Sequence, residues 1–163
     1  MDETRILHSQ AETESLAAAL ARALRPGDAL LLSGPVGAGK SAFARAAIRA
    51  RQAAEGCQPE EVPSPSYTLV QAYEAGPVEI WHADLYRLGD PDELVELGLD
   101  EAFQRAIVFL EWPERLGDSA PNRALHLQLE PDPDIDEARR LTFRTEGGNW
   151  DAALAAMTGV PAA

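Results

Sequence analysis

A glycine-rich loop ending in a lysine and a hydroxyl has the residue types needed to bind phosphate. Residues 34–41 read GPVGAGKS, the spacing G-x-x-x-x-G-K-[ST] of a P-loop. Glycines let a backbone approach phosphate oxygens, and the N–H groups of the loop then surround the anion. We expect Lys40 to reach the β- and γ-phosphates and the Ser41 hydroxyl to bind Mg²⁺. The predicted nucleoside triphosphate site comprises Gly34, Pro35, Val36, Gly37, Ala38, Gly39, Lys40, Ser41 and Ala42.

Two carboxylates follow predicted strands. Glu111 comes directly after the apolar run 107–110, and Asp84 ends a strand predicted from residue 78, beside His82. Ligands of open α/β sheets bind at the carboxyl ends of the strands. We expect Asp84 to bind Mg²⁺, and Glu111 to bind either Mg²⁺ or the attacking water. The sequence leaves the division of roles open, and the alternative for each is a solvated or capping acid.

A segment with two prolines and several hydroxyls, residues 62–70, reads VPSPSYTLV. The residue before each proline favours extended backbone, so this segment is predicted to be stiff. The hydroxyls of Ser64, Ser66 or Thr68 could reach Mg²⁺ or the γ-phosphate and order the segment as a nucleotide switch. The alternative is a connector stiffened by proline.

Three further side chains are weaker candidates. Arg45 and Arg87 could stabilise charge on the phosphates, although arginines more often lie at the surface. Trp112 could pack against nucleotide, against a partner or in the core.

The elements around these residues predict one α/β fold. An apolar strand over 28–33 and a helix over 42–51 flank the loop, as a P-loop requires. Ser9 and Glu12 have the spacing of a capping box, which predicts the start of an earlier helix. Later elements are an antiparallel pair across the loop 131–137, a helix from Asp90 ended by Gly98, and a terminal helix over 150–157. We predict a P-loop NTPase-like fold, a parallel core sheet flanked by helices with added antiparallel strands, in a single domain over 1–163.

Composition excludes several classes of protein. The chain has 163 residues, with 14 basic and 27 acidic side chains and a net charge of −13. Nucleic-acid affinity depends largely on neutralising phosphates, so we expect no direct nucleic acid binding. No apolar run approaches the roughly 20 residues of a membrane span, so we expect no membrane association. A lone Cys57 excludes an internal disulfide and fits a cytoplasmic protein.

Two absent motifs narrow the reaction. No N-K-x-D tetrapeptide is present to select guanine, and no arginine-rich stretch resembles the lid of a small-molecule kinase. A hydrolytic switch therefore fits better than a phosphotransferase. A small-metabolite or nucleoside kinase and a nucleotide-dependent interaction module are the alternatives.

Four motifs together resemble the TsaE (YjeE) family. They are the loop at 34–41, S-P-S-Y-T-L-V at 64–70, H-A-D-L-Y-R-L at 82–88 and E-W-P-E at 111–114. The resemblance implies a weak ATPase required for threonylcarbamoyladenosine formation on tRNA, acting on the TsaB–TsaD complex rather than on tRNA directly. ATP and Mg²⁺ are the implied cofactors.

The resemblance also implies roles for individual residues. Lys40 contacts phosphates, Ser41, Glu111 and Asp84 serve the metal, the segment 64–68 is the switch, and Thr13 lies near the base. Where the family usually has an acidic residue and leucine, this chain has Pro35 and Val36, and Pro35 removes one N–H from the loop. Serine replaces the usual threonine at positions 41 and 66, which keeps each hydroxyl.

Overall fold

In the computed structural model, which describes residues 2–159, seven strands form one sheet. The strands are β1 (Glu3–Leu7), β2 (Ala29–Ser33), β3 (Val70–Ala75), β4 (Val78–Asp84), β5 (Ile107–Glu111), β6 (Ala124–Pro131) and β7 (Arg139–Glu146). The helices are α1 (Gln10–Ala23), α2 (Lys40–Ala54), α3 (Glu93–Glu96), α4 (Leu99–Arg105) and α5 (Asp151–Gly159), with a 3₁₀ segment at Pro113–Ser119. Among the described residues no helix is long and apolar enough to cross a membrane.

The sheet has a parallel centre and antiparallel edges. Its order is β1-β7-β6-β2-β5-β4-β3, and β2 is the central strand. β2 pairs in parallel with β5 and β6, and β4 pairs in parallel with β5. β3 adds an antiparallel strand at one edge, and β7 and β1 add two at the other. The predicted fold class is confirmed, and the antiparallel pair β6–β7 joins the core directly through β2.

Apolar side chains on both faces of the sheet explain the continuous apolar run of β2. Leu30 and Leu32 lie in a buried cluster with α1, α2 and α5, whereas Leu31 lies in a second cluster with α4 and the 3₁₀ segment. All three are at most 1% exposed. A strand covered on both faces has no polar side, so its sequence does not alternate.

Helix α1 begins as its capping residues predict. The Ser9 hydroxyl accepts the N–H of Glu12 at 3.1 Å. The reciprocal carboxylate of Glu12 accepts the N–H of His8, one residue before the cap, at 2.6 Å. These bonds satisfy N–H groups that a helix start leaves unpaired.

The region after β4 differs from its prediction. The helix expected from Asp90 is shorter and begins at Glu93, and Gly98 separates it from α4 with a φ of 81°. Leu99, directly after that glycine, is buried as the first residue of α4. A second, shorter helix is predicted over 100–104, and α4 lies there with one further residue at each end.

Candidate nucleotide-binding site

The P-loop leaves β2 through a close approach between two backbones. Gly34 has a φ of 139°, and a Cβ built there would lie 2.2 Å from the carbonyl oxygen of Leu129 in β6. Only glycine fits such a position, because the oxygen belongs to the backbone of a strand in the sheet and cannot move easily. The parallel pairing of β2 with β6 therefore sets the path of the loop.

Lys40 is the first residue of α2 and the only lysine in the chain. Its side chain is folded back against the protein: Nζ donates a hydrogen bond to the carbonyl of Gly34 and lies 3.6 Å from the ring centroid of Trp112. The residue is 5% exposed. Burial lowers the pKa of Lys40, and the charges of Glu111, Glu114 and Asp84 oppose that shift.

The two predicted acids are neighbours across the parallel pair β4–β5. Asp84 and Glu111 are register partners, and both are buried. The Ser41 hydroxyl lies 2.9 Å from each carboxylate oxygen of Glu111. Since Ser41 is in the first turn of α2, the P-loop helix and the end of β5 meet at one point.

Asp84 connects the sheet to residues 64–68, which we call the serine segment. Its Oδ2 accepts the hydroxyl of Ser66 at 3.2 Å, and its Oδ1 accepts the N–H of Tyr86 at 3.0 Å. The Ser64 and Ser66 hydroxyls are 2.9 Å apart. Thr68 is exposed and turned toward Gln71, whose amide donates to its hydroxyl at 3.1 Å. The structure therefore brings two of the three switch candidates to the acids and leaves Thr68 aside.

A cavity of about 440 Å³ opens between these groups. It contains the lysine, the two carboxylates and three of the four hydroxyls that the sequence predicted for the site, without Thr68. Its lining residues are Val36, Gly37, Gly39, Lys40, Ser41, Ala42, Ser64, Ser66, Asp84, Tyr86, Arg87, Glu111 and Trp112. Within residues 2–159, no cluster of three or more His, Cys, Asp or Glu side chains could hold a metal by itself. Mg²⁺ usually takes one or two carboxylates and completes its shell with water and phosphate oxygens. The hydroxyl and two carboxylates fit that chemistry.

The two candidate arginines have different surroundings. Arg45 donates from Nε to the carbonyl of Val62 at 3.0 Å and is not part of the cavity lining. Arg87 lines the cavity, with its guanidinium carbon 4.7 Å from the ring centroid of Tyr67. Of the two, only Arg87 is placed to approach a bound phosphate.

Trp112 and Tyr86 form an aromatic side of the cavity. Their ring centroids are 4.9 Å apart, and the Trp112 ring also contacts the Lys40 ammonium. Trp112 has a φ of 61°, which turns the chain directly after Glu111. Of the open alternatives for Trp112, the structure favours a place at the cavity; Tyr86 was not predicted at all.

Thr13 lies on the other side of the P-loop, beside a smaller cavity of about 100 Å³. Ala38, Gly39, Ala42 and Arg139 also line it. Arg139, from β7, donates from Nε to the carbonyl of Ala38 at 2.9 Å. No local pattern marks Arg139 in the sequence, because the contact joins residues 101 positions apart.

Comparisons with known proteins agree on one family. The family model for threonylcarbamoyl adenosine biosynthesis protein TsaE matches residues 7–141. The tRNA threonylcarbamoyladenosine biosynthesis protein TsaE of Rickettsia felis is 36% identical over 137 residues, covering 83% of this chain and 75% of that protein. The Bacillus subtilis protein of the same name is 32% identical, covering 86% and 84%.

A solved structure shares the fold. The crystal structure of Bacillus subtilis YdiB superposes with a TM-score of 0.76 and 23% identity, covering 98% of this chain and 95% of that one. At this identity the likeness concerns the fold alone.

Proposed function

This chain belongs to the TsaE family of threonylcarbamoyl adenosine biosynthesis proteins, and from that membership we propose that it is a Mg²⁺-dependent ATPase. Like the rest of the family, it has a role in the biosynthesis of tRNA threonylcarbamoyladenosine. ATP hydrolysis is the step we assign to the site. The proposal extends to the partner: the chain acts on the TsaB–TsaD complex and not on tRNA directly.

One observation supports the ATPase proposal above others: the P-loop lysine and hydroxyl share a cavity with two buried carboxylates. Lys40, Ser41, Asp84 and Glu111 all line it. A phosphate-binding loop alone binds nucleotide, whereas hydrolysis also needs a metal and a positioned water. Groups that could bind phosphate, and groups that could hold a metal and orient a water, line the same cavity.

The P-loop would bind the phosphates. Backbone N–H groups at residues 37–42 and the positive end of α2 favour an anion at this position. The Lys40 ammonium would exchange its present partners, the Gly34 carbonyl and the Trp112 ring, for β- and γ-phosphate oxygens. Bringing a buried cation to a polyanion also relieves the desolvation that lowers the lysine pKa.

The carboxylates would bind the metal and orient the attacking water. Ser41 and Glu111, whose hydroxyl and carboxylate oxygens are 2.9 Å apart, would together hold Mg²⁺. Asp84 would lie at the same site, next to Ser66. When bound, the ion supplies positive charge that offsets the charge developing on the phosphates. A carboxylate beside the γ-phosphate would orient a water, whose oxygen forms a bond to γ-phosphorus as the bond from γ-phosphorus to the bridging oxygen breaks. The water proton would pass to the phosphate oxygens, and ADP and inorganic phosphate would leave.

Ser64 and Ser66 would change their hydrogen-bond partners when a triphosphate binds. Both residues line the cavity, their hydroxyls bond to each other, and the Ser66 hydroxyl also donates to Asp84, so a γ-phosphate can replace those bonds. Loss of that phosphate would return the segment to Asp84. We therefore propose this segment as the switch that a partner protein reads.

The base would lie near Thr13. The smaller cavity joins the start of α1 to Ala38, Gly39 and Ala42 of the P-loop, on the side away from the acids. A nucleotide would then lie across the loop, with its phosphates in the larger cavity. We further propose a single domain and a cytoplasmic location for the protein.

Phosphate release measures the proposed function directly. We expect slow hydrolysis of ATP by the pure protein with Mg²⁺, faster hydrolysis when the TsaB–TsaD complex is added, and none with Lys40→Ala. Glu111→Gln should keep ATP binding but lose at least about 100-fold in turnover. Arg49→Ala, on the same helix and outside the lining of the larger cavity, is the matched control.

Other outcomes separate the proposals. Hydrolysis that does not change with TsaB–TsaD would contradict the partner assignment while leaving the ATPase. ATP consumption that required an added acceptor and released no phosphate would identify a kinase. Normal turnover by Lys40→Ala would contradict the assigned site itself.

A further inference from the structure

A buried histidine lies behind the site and outside the cavity lining. His82 on β4 is 0% exposed, two residues before Asp84 on the same face of the strand. Its register partner on β5 is Phe109, two residues before Glu111. Side chains alternate along strands, so His82 and Glu111 face the side of the sheet that packs against α2.

The imidazole holds the Glu111 carboxylate directly. His82 Nε2 lies 2.7 Å from Glu111 Oε2, and both side chains are almost fully buried. We assign the hydrogen of this contact to Nε2, since a carboxylate oxygen acts as the acceptor. Together with Ser41 at 2.9 Å, His82 gives the carboxylate a donor on each of two sides.

The other ring nitrogen shows that packing does not explain this histidine. Nδ1 is buried and has no hydrogen-bond partner among the described residues. An apolar side chain of similar size would fill the position without an unpaired polar atom. The bond to Glu111 is therefore the feature that distinguishes histidine from a core residue here.

We propose that His82 is a positioning residue for Glu111. The Nε2–H group fixes the carboxylate toward Ser41, and thereby toward the metal that we assign to the pair. His82 does not touch the nucleotide, since it is absent from the cavity lining. This inference rests on the proposed function for its consequence, but the hydrogen bond itself can be measured without nucleotide.

NMR of the ligand-free protein tests the bond. The chain has three histidines, so ¹⁵N-labelled imidazole signals can be assigned by comparing the protein with His82→Gln. We expect the His82 ring to carry its hydrogen on Nε2, protected from exchange with water. A ring protonated only on Nδ1 would overturn the proposal, because Nε2 could not then donate.

Metal binding tests the consequence. Mn²⁺ serves as the probe, titrated by electron paramagnetic resonance into the protein–ADP complex, and ADP affinity is measured separately in EDTA. Losing a group that orients a metal ligand typically weakens metal binding by about 10–100-fold. We expect that loss in His82→Phe, an unchanged metal-free ADP affinity, and recovery to within about threefold in His82→Gln, which keeps an N–H donor.

His126→Phe is the matched control, because His126 also pairs with a glutamate, at 3.1 Å, but on the exposed side of β6. It should bind Mn²⁺ as the unsubstituted protein does. If His82→Phe fails to fold, the NMR measurement still tests the bond to Glu111, and His82→Gln still tests metal binding. The positioning role would be overturned if His82→Phe kept its Mn²⁺ affinity, or if it lost ADP affinity together with Mn²⁺ affinity. If the unsubstituted protein failed to bind Mn²⁺–ADP, the proposed function would be overturned instead.

Discussion

At the scale of single residues, Lys40 combines a functional position with an unfavourable environment. Its lowered pKa means that the Gly34 carbonyl, the Trp112 ring and the nearby carboxylates do not fully offset the cost of burying the charge. Binding sites often keep such a cost because the ligand removes it. The unbound site is therefore a place where the fold gives up some stability.

Replacing Lys40 should stabilise the nucleotide-free protein. Lys40 has a lower pKa in the folded protein than its unfolded value of 10.5, so its charged form destabilises the fold. This destabilisation is complete at pH values below the folded pKa and disappears at pH values well above 10.5. Lys40→Met should therefore raise the free energy of unfolding at pH 7, and the gain should shrink as the pH approaches 10.5. Denaturant unfolding at pH 7 and pH 10 measures it.

Arg49→Met controls for the loss of a cation from the same helix, since arginine stays charged throughout this pH range. A Lys40→Met protein less stable than the unsubstituted chain at pH 7 would contradict the assigned electrostatics.

The residues that line the larger cavity could be predicted only where a local pattern marked them. Lys40 and Ser41 end a recognisable loop, and Asp84 and Glu111 each end an apolar strand. Tyr86 and the bond between His82 and Glu111 depend on which strands are neighbours in the sheet, which a single sequence does not state. Contacts across 29 positions, such as that bond, follow from strand order.

At the scale of elements, the serine segment is fixed by backbone hydrogen bonds where it enters β3, whereas its serines bond to other described residues only through their hydroxyls. The carbonyl of Leu69 accepts the N–H of Asp84 at 2.8 Å, and the N–H of Leu69 donates to Pro65 at 2.7 Å. Leu69 has a φ of 68°, an uncommon conformation for a side-chain-bearing residue. The segment thus enters β3 at a fixed point, and its serines remain available to the cavity.

Removing the Ser66 hydroxyl should separate binding from turnover. Ser66→Ala loses the bond to Asp84, so we expect ATP affinity within about threefold of normal and a loss of about tenfold or more in hydrolysis. Thr68→Ala removes a hydroxyl from the same segment that points toward Gln71, and it should keep normal hydrolysis. Equal effects of the two substitutions on steady-state phosphate release would contradict the switch assignment.

The P-loop glycines should differ in their tolerance of a methyl group. At Gly37 a Cβ meets nothing within 4 Å, and only its φ of 84° is unfavourable, a cost of about 1–2 kcal/mol. At Gly34 the Cβ would also overlap the Leu129 carbonyl, so Gly34→Ala should destabilise the protein by clearly more than Gly37→Ala. Denaturant unfolding of both variants decides, and equal losses would contradict the close approach of Gly34 to β6.

Sequence patterns predicted the long elements better than their ends and their order. The strand before the loop, the β6–β7 pair and the terminal helix lie close to their predicted places, because apolar periodicity marks them. The start of α2 lies two residues earlier than expected, since Lys40 and Ser41 form its first turn. The parallel contact of β6 with β2 could not be predicted, as nothing local distinguishes that neighbour from another.

At the scale of the whole molecule, charge limits the partners. A net charge of −13 over 163 residues opposes contact with a polyanion. We expect the isolated protein to bind bare tRNA with a dissociation constant above about 10⁻⁴ M at physiological salt, the weak end of non-specific binding. Fluorescence anisotropy with labelled tRNA measures this, and micromolar binding by the chain alone would contradict it.

The solitary lysine has a practical consequence for chemistry on this protein. Apart from any terminal amine, an amine-selective acylating reagent has one side-chain amine to modify in this sequence, and that amine lies in the phosphate site. Its lowered pKa leaves more of it as the reactive free base at a given pH than an ordinary lysine would have. Mass spectrometry of the peptide that contains Lys40 would therefore measure occupancy of the site, since bound nucleotide would protect this amine from the reagent.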